Sequence, residues 1–329
     1  MHTVRASLPE EPHVSRRPAL VSTIVAALVL VGCAGSPIPT ASLSAEQAGA
    51  IDDCGVGVLP MAAPAERIVA VKSTAAELVV ALGLGDALVA TAFLDGPLEG
   101  ADAPTIDGMP SREAVLALEP DAIVAGWESA FAPEAIGDRA QLHELGVTTW
   151  VSPAACWSTE VPPLEWEGLF AELGDAGATL GVPEAGAALV DEQRAALAAI
   201  EPVEGSPTAL WYSSGEDAPY VGGGTGAPQL VLETAGLTNV AGDLDDGWAT
   251  LSWEAVAASG PDVIVLVDAP WHTAASKVER LRANPATAAL EAVQEERFVV
   301  VPFPMAEAGV GTVDAVALVA REVRELGLG

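Results

Sequence analysis

The sequence predicts an α/β fold of two similar lobes, each built on a mainly parallel sheet, joined by a single long helix. Short apolar runs alternate with segments of helical periodicity, which is typical of strands connected by helices in a parallel sheet. One segment also occurs twice, as SREAVLALEPDAIV from Ser111 and as SWEAVAASGPDVIV from Ser252. Because the copies lie in different halves of a chain of 329 residues, they indicate one α/β unit used twice.

The first lobe is predicted over residues 54–180. Its strands are apolar runs bounded by charged residues, glycine or proline, which is the pattern of a buried parallel strand. Its first helix begins after the capping residues Ser73 and Thr74 and stops at Gly83. The predicted strands are 68–71, 87–92, 122–125 and 147–151, and the predicted helices are 75–82, 111–118 and 134–145.

The second lobe is predicted over residues 204–329 and repeats this plan, so that both lobes are Rossmann-like. Between the lobes, residues 181–203 hold an alanine-rich helix that begins at Pro183 and ends at Ile200. These residues extend about 27 Å as a helix, which is enough to connect two lobes. The predicted strands of the second lobe are 208–212, 263–267 and 298–301, and its helices are 227–234, 252–258, 276–281 and 313–325.

The N-terminus has the pattern of an export signal. Arg16 and Arg17 precede an uncharged, mostly apolar run over 19–31, which is shorter than the roughly 20 residues that a membrane span needs. The sequence LVGC that ends at Cys33 resembles a bacterial lipobox, so residues 1–32 are predicted to be removed and Cys33 to carry lipid. A plain secretory signal is the alternative, and the Sec and twin-arginine routes both stay open.

After Cys33, residues 33–53 are predicted to form a polar tether to the folded part. No later segment is apolar for long enough to span a membrane. The protein is therefore expected on the outer face of the cell membrane, held there through its lipid anchor only.

Charge and cysteine content restrict the partners and the chemistry. The formal net charge is −32, so the chain repels phosphate backbones and nucleic acid is not an expected partner. Beyond Cys33 only Cys54 and Cys156 remain, and an even pair in an exported protein predicts a disulfide, with two separate thiols as the alternative. Only His143 and His272 follow the signal, far apart, so no metal site is expected.

Several segments together resemble a known family. The stretch ERIVAVKSTAAELVVALGLGD, both copies of the repeat, the linking helix and RFVVVPFP are similar to the class III substrate-binding proteins of ABC importers, over about residues 54–326. This resemblance implies the class III periplasmic-binding-protein fold, a monomer, and delivery of a small molecule to a permease dimer with its ATPase subunits. Ferric siderophores, haem and cobalamin are ligands of that family.

The repeat acquires a possible function through this resemblance. In the family, one glutamate on each lobe contacts arginines of the two permease subunits, and these correspond to Glu113 and Glu254. A twofold-like receptor then matches a twofold permease. The alternative is that Ser111 and Ser252 with the following glutamates only stabilise helix N-termini, where both residue types are favoured.

A further set of segments resembles one actinobacterial subgroup of the family. The segments are KSTAAELVVALGLGDALVATAFLDGP, AGWESAF, VSPAAC, LWYSSGEDAPYVGGGTGAP and VPFPMAEAGV. The expected ligand of this subgroup is coenzyme F-420-0, a deazaflavin precursor with a flat tricycle, a ribityl chain and an anionic phospholactyl end. The resemblance implies a binding protein without catalytic residues and without a cofactor of its own.

The candidate ligand residues lie at predicted strand ends, where folds of this kind bind their ligands. A lysine beside a helix start could hold an anion, aromatic rings could stack on a flat ligand, and hydroxyls could form hydrogen bonds. The alternatives are a solvated lysine, rings packed in the core and, for the glycine-rich loop 222–226, a plain turn. The candidates are Lys72, Ser73, Thr74, Trp127, Tyr212, Ser213, Ser214, Tyr220, Thr225 and Trp271.

A surface hydrolase that uses Ser213, Ser214 or Ser252 is the alternative from a different functional class. The sequence has no G-x-S-x-G nucleophile motif, and neither remaining histidine lies in a suggestive setting. A binding protein is therefore the preferred interpretation.

Overall fold

The computed structural model describes residues 52–159 and 161–329. The predicted export signal, the lipid site at Cys33 and nearly all of the tether lie outside these ranges. Within them, no helix combines the length and the apolar character needed to cross a bilayer.

The first sheet has five strands, all parallel. Most of its residues are fully buried, which explains why the strands appear in the sequence as uninterrupted apolar runs: both faces of the sheet are covered. Its strands are β3 (Ile68–Val71), β4 (Leu88–Ala92), β5 (Thr105–Ile106), β6 (Ala122–Ala125) and β7 (Thr148–Val151), in the order β5-β4-β3-β6-β7. They are preceded by an antiparallel pair, β1 (Asp52–Asp53) and β2 (Val56–Gly57).

The helices of this lobe are α1 (Ser73–Ala81), α2 (Arg112–Leu116) and α3 (Arg139–Glu144). The third is shorter than the predicted helix 134–145. Gly137 has a φ of +96°, and the Asp138 side chain accepts a hydrogen bond from the backbone N–H of Gln141, so the helix begins only after these residues.

The second sheet has six strands and is mixed. Its three longer strands are predicted correctly, whereas three short strands, one parallel and two antiparallel at one edge, have no counterpart in the prediction. The strands are β8 (Thr208–Ser214), β9 (Tyr220–Gly222), β10 (Thr238–Asn239), β11 (Trp248–Thr250), β12 (Val263–Asp268) and β13 (Phe298–Pro302). The helices are α6 (Ala227–Thr234), α7 (Trp253–Ser259), α8 (Ala274–Ala283), α9 (Glu291–Gln294) and α10 (Thr312–Glu325).

The repeated segment occupies equivalent places in the two sheets. Ser111 and Ser252 each accept a hydrogen bond from the backbone N–H three residues later, and so cap α2 and α7. The strands that follow, β6 and β12, each lie beside the first strand of their own sheet, β3 or β8. The predicted α/β fold with one unit used twice is confirmed.

The connection between the lobes is a helix pair rather than a single helix. The predicted linking helix is present as α5 (Pro183–Ala198), but α4 (Trp166–Thr179) lies antiparallel beside it. The backbones of the two helices come close together at Gly177 and Gly186. A Cβ on Gly177 would lie only 2.7 Å from the Cα of Gly186. Glycine at both positions lets the two backbones pack against each other.

Both helices of the pair contact both lobes. At the start of α4, the Trp166 Nε1–H donates to Thr234 of the second lobe, while Leu173 and Leu180 belong to the core of the first lobe. On α5, Leu189 packs in the first core, and Ile200 just beyond its end packs in the second. Two helices therefore share the bridging role that the prediction gave to one.

Cys54 and Cys156, the pair expected from the sequence, are joined by a disulfide with a Cα–Cα distance of 5.1 Å. The bond attaches the turn between β1 and β2 to the segment after β7. Within the described residues, the one cluster of potential metal ligands comprises these two sulfurs and Glu128. Because both sulfurs are bonded to each other, the cluster is not a metal site.

Candidate functional site

A cleft of about 690 Å³ lies between the lobes. The first lobe contributes Gly126 and Trp127 just after β6, and residues from 152–159 and 161–164 form one side. The second lobe contributes the carboxyl end of β8, the first residues of β9 and β11, Trp271 after β12 and the turn after β13. The cleft therefore lies where the carboxyl ends of the strands meet, as expected for a ligand site in this class of fold.

Aromatic rings dominate the wall of the cleft. Tyr220 and Trp248 stack with their ring centroids 5.7 Å apart and an interplanar angle of 16°, and Trp271 packs edge-on against Phe303 at 5.5 Å. Trp127 faces them from the first lobe. Trp271 is 58% exposed, so its ring offers a free face to a ligand. Such an arrangement suits a flat or conjugated solute.

The charged residues of the wall are all acidic: Asp245, Asp246 and Glu307. Among the described residues, no lysine, arginine or histidine lines the cleft. Burial raises the pKa of Glu307 to about 7, an effect that the nearby Lys72 ammonium opposes. The cleft is thus aromatic and, above pH 7, strongly anionic.

Lys72 does not line the cleft, contrary to the prediction of an anion-binding lysine. Its side chain is 2% exposed, and its Nζ lies 2.6 Å from Oδ2 of Asp95. The ammonium also lies 4.1 Å from the ring centroids of both Trp127 and Phe303, one from each lobe. Because a carboxylate and two rings already surround it, this ammonium serves the junction of the lobes and not a ligand anion.

Ser73 and Thr74 are buried with Lys72, outside the cleft wall. The Ser73 hydroxyl accepts from the backbone N–H of Asp95 at 2.7 Å and donates to its carboxylate at 3.2 Å. Trp271 reaches the same carboxylate from the second lobe, with its Nε1 3.4 Å from Oδ1 of Asp95. The polar groups predicted to bind an anion are therefore already bonded to Asp95 within the protein.

Tyr212 is also a core residue rather than a ligand residue. It is fully buried, its hydroxyl donates to the carbonyl of Gly215 at 2.7 Å, and its ring packs edge-on against Trp253. Tyr212 is interior because alternate residues of β8 point to opposite faces of the sheet, and its face is covered by α7.

Five of the predicted hydroxyl and ring residues do line the cleft together with Trp127: Ser213, Ser214, Tyr220, Thr225 and Trp271. The glycine-rich loop 222–226 also borders it, but its amides are already used. Gly223, Gly224 and Thr225 donate to backbone carbonyls of the segment 244–247. The loop therefore shapes the cleft without offering these amides to an anion.

The site contains residues that the sequence interpretation did not select, above all Trp248, Asp245, Asp246, Phe303 and Glu307. Trp248 begins β11, a three-residue strand that sequence periodicity cannot detect. Glu307 follows VPFPMA after β13. Its position shortly after a predicted strand could have identified it as a candidate cleft residue. Trp127 Nε1–H donates to Glu307 Oε1 at 3.1 Å, which joins the two lobes at the base of the cleft.

Of the serines in the hydrolase alternative, Ser213 and Ser214 line the cleft and Ser252 does not. Ser252 caps α7 outside the cleft, and the His143 ring contacts Thr149 at 2.8 Å. Glu113 and Glu254 are exposed in the first turns of α2 and α7, one on each lobe and neither in the cleft.

Solved structures resemble the chain over most of its length. A periplasmic binding protein from Veillonella parvula is 24% identical, with a TM-score of 0.71, covering 82% of this chain and 95% of that one. A protein of an ABC-type Fe3+-hydroxamate transport system from Saccharomonospora viridis is 25% identical, with a TM-score of 0.68 and coverages of 83% and 97%. The periplasmic heme-binding protein RhuT from Roseiflexus sp. RS-1 is 25% identical, with a TM-score of 0.65 and coverages of 79% and 98%.

No curated protein matches the sequence. A family model described as periplasmic binding protein matches residues 68–305, a range that begins at β3 and includes both sheets and the helix pair. Together with the structural neighbours it confirms the class III fold that the resemblance implied. The chain belongs to the periplasmic binding protein family.

Proposed function

We propose that this protein is an extracytoplasmic receptor that captures a bulky, conjugated solute in the cleft between its lobes. The aromatic cleft in a chain of this family is the observation that carries the proposal. Cys33 is proposed to anchor the protein to the outer face of the membrane by lipid. Glu113 and Glu254 are proposed to dock a permease dimer, because each is exposed in an equivalent first helical turn of its own lobe.

A ferric hydroxamate complex fits the cleft best among the candidate ligands. Three hydroxamate groups cancel the three charges of Fe³⁺, so the core of such a complex is neutral and needs no cationic partner. The acidic wall has no lysine, arginine or histidine among the described residues, and it does not repel a neutral core. The similarity to the Saccharomonospora viridis protein supports the same ligand class.

Coenzyme F-420-0 is the second candidate, and it rests on the resemblance of sequence segments. Its tricycle could use Trp127, Tyr220 and Trp271, but its phospholactyl group would meet Asp245 and Asp246 rather than a cation. Like charges held close together disfavour binding. Haem propionates encounter the same difficulty.

Titration of tryptophan fluorescence with a ferric hydroxamate, haem, cobalamin and F-420-0 tests the ligand. The ferric hydroxamate is expected to bind at one molecule per protein, to be released unchanged, and to bind more tightly than its iron-free form. Trp271→Ala should weaken its binding at least about fivefold, since an aromatic contact contributes about 1 kcal/mol beyond area burial.

Trp157→Ala is the matched control, because Trp157 is exposed and does not line the cleft. Binding of F-420-0 alone would contradict the assignment of a ferric hydroxamate as ligand, but it would leave the proposed receptor function standing. Turnover of the bound molecule would instead support the hydrolase.

Docking is tested by charge reversal of both glutamates, Glu113→Arg with Glu254→Arg. Uptake of the ligand into cells is expected to fall strongly while affinity in solution stays unchanged, because neither side chain lines the cleft. Single variants should show small effects, since an exposed ion pair contributes about 0–1 kcal/mol. The control is Glu134→Arg with Glu279→Arg, which reverses one exposed charge on each lobe elsewhere. Equal uptake by both double variants would remove the docking assignment.

A further inference from the structure

The cleft carries more negative charge than the binding of a neutral ligand requires. Asp245, Asp246 and Glu307 all belong to the second lobe and all line the cavity. The Lys72 ammonium, which interacts with Glu307, is paired with Asp95 and buried. Three carboxylates thus face the cleft with no free cation among the residues described.

These carboxylates lie around an aromatic pair. Tyr220, Trp248, Asp246 and Glu307 all line the same cleft, and burial raises the pKa of Tyr220, an effect to which the charges of Asp246 and Glu307 add. The ring of Tyr220 is stacked on Trp248, two residues beyond Asp246. A cation at this position would contact aromatic faces and carboxylate oxygens together, a combination that favours positive charge.

A separate observation marks the same wall as a binding surface. Ser213 lines the cleft and is only 5% exposed, so the small exposed part of the residue borders the cleft. A serine hydroxyl can both donate and accept, so it can bind a polar group of a ligand in the cleft. An ammonium N–H is a suitable donor, because the serine oxygen can accept.

The protein already shows how its aromatic residues hold an ammonium. The Lys72 Nζ lies 4.1 Å from the ring centroids of Trp127 and Phe303, and both rings belong to the cleft wall. That position is filled by the chain itself. The Tyr220–Trp248 pair, with Asp246 beside it, is the remaining aromatic position of similar chemistry.

Resting on the proposed receptor function, we propose that the cleft selects a ligand that carries a positively charged amine, held near Ser213, Asp246 and the Tyr220–Trp248 pair. For a ferric hydroxamate this means a complex with a neutral iron core and a free ammonium group. The iron core would then contact the Trp127 and Trp271 side of the cleft.

The experiment compares two probes that differ in one charge: ferric desferrioxamine B, a linear trihydroxamate with a free primary ammonium, and the same complex acetylated on that amine. Both are titrated at pH 8, where Glu307 is ionised, and at low salt. The ammonium form is expected to bind about tenfold more tightly, and this preference should shrink as salt is added.

Asp246→Asn is expected to remove most of the preference by weakening the ammonium form and leaving the acetylated form unchanged. Asp243→Asn is the matched control, because Asp243 is exposed in the same loop and does not line the cleft. Ser213→Ala should also weaken the ammonium form more than the acetylated one.

The two levels of the proposal fail differently. Equal affinities for both probes in the wild-type protein would overturn selection for positive charge and leave the hydroxamate receptor standing. Binding of neither probe would overturn the ligand class and the inference with it. Loss of affinity for both probes in Asp246→Asn, by equal factors, would overturn the role of this carboxylate in charge selection.

Discussion

Replacement of Lys72 by methionine is expected to lower the free energy of unfolding by about 3–5 kcal/mol. Its side chain and that of Asp95 are 2% and 6% exposed, and their charged atoms lie 2.6 Å apart. Methionine keeps the apolar part of the lysine but removes the ammonium, so the Asp95 carboxylate would remain buried without its cation. The loss should appear as a lower midpoint in urea or thermal denaturation.

The double variant Lys72→Met with Asp95→Asn is the control for this mechanism. It removes both charges while keeping the shapes, and it should recover a large part of the lost stability. A double variant less stable than Lys72→Met would show that the carboxylate matters through Ser73 and Trp271, which it also contacts, rather than through the ion pair.

Removal of the disulfide by Cys54→Ala with Cys156→Ala is expected to cost about 4–5 kcal/mol. The bond joins residues separated by 102 positions, and in the chain-entropy model a loop of that size restricts the unfolded state by about this amount. Because Cys156 also lines the cleft, ligand affinity should fall as well. Denaturation curves with and without reductant measure the effect.

In the wild-type protein, reductant should reproduce most of the loss, whereas the double variant should be insensitive to it. A change in the unfolding free energy below about 1 kcal/mol would contradict the assignment of this bond as a major restraint.

The architecture was accessible from the sequence because buried parallel strands leave a strong local pattern. Ile68–Val71 is apolar throughout, Val263–Asp268 is apolar up to its last residue, and the capping serines 111 and 252 mark helix starts directly. The helix α4 was also detectable, since Trp166, Leu169, Phe170 and Leu173 follow helical spacing, although the prediction left this region unassigned.

The site was accessible only in part. Strand ends indicated correctly that Trp127, Ser213 and Trp271 face the cleft. The burial of Lys72 could not be predicted, because its partner Asp95 lies 23 residues further along the chain and contacts it only in the folded lobe. The three-residue strands that bring Tyr220 and Trp248 together are likewise products of tertiary pairing rather than of local pattern.

The antiparallel pair α4–α5 has a mechanical consequence. One helix is a rod that flexes equally in every direction, whereas two rods fastened along their length resist bending in the plane that contains both axes. With backbones in contact at Gly177 and Gly186, the pair leaves the lobes one soft direction, across that plane. We therefore expect any relative movement of the lobes to be a rocking about a single axis, which would change the distance between Glu113 and Glu254 along one coordinate only.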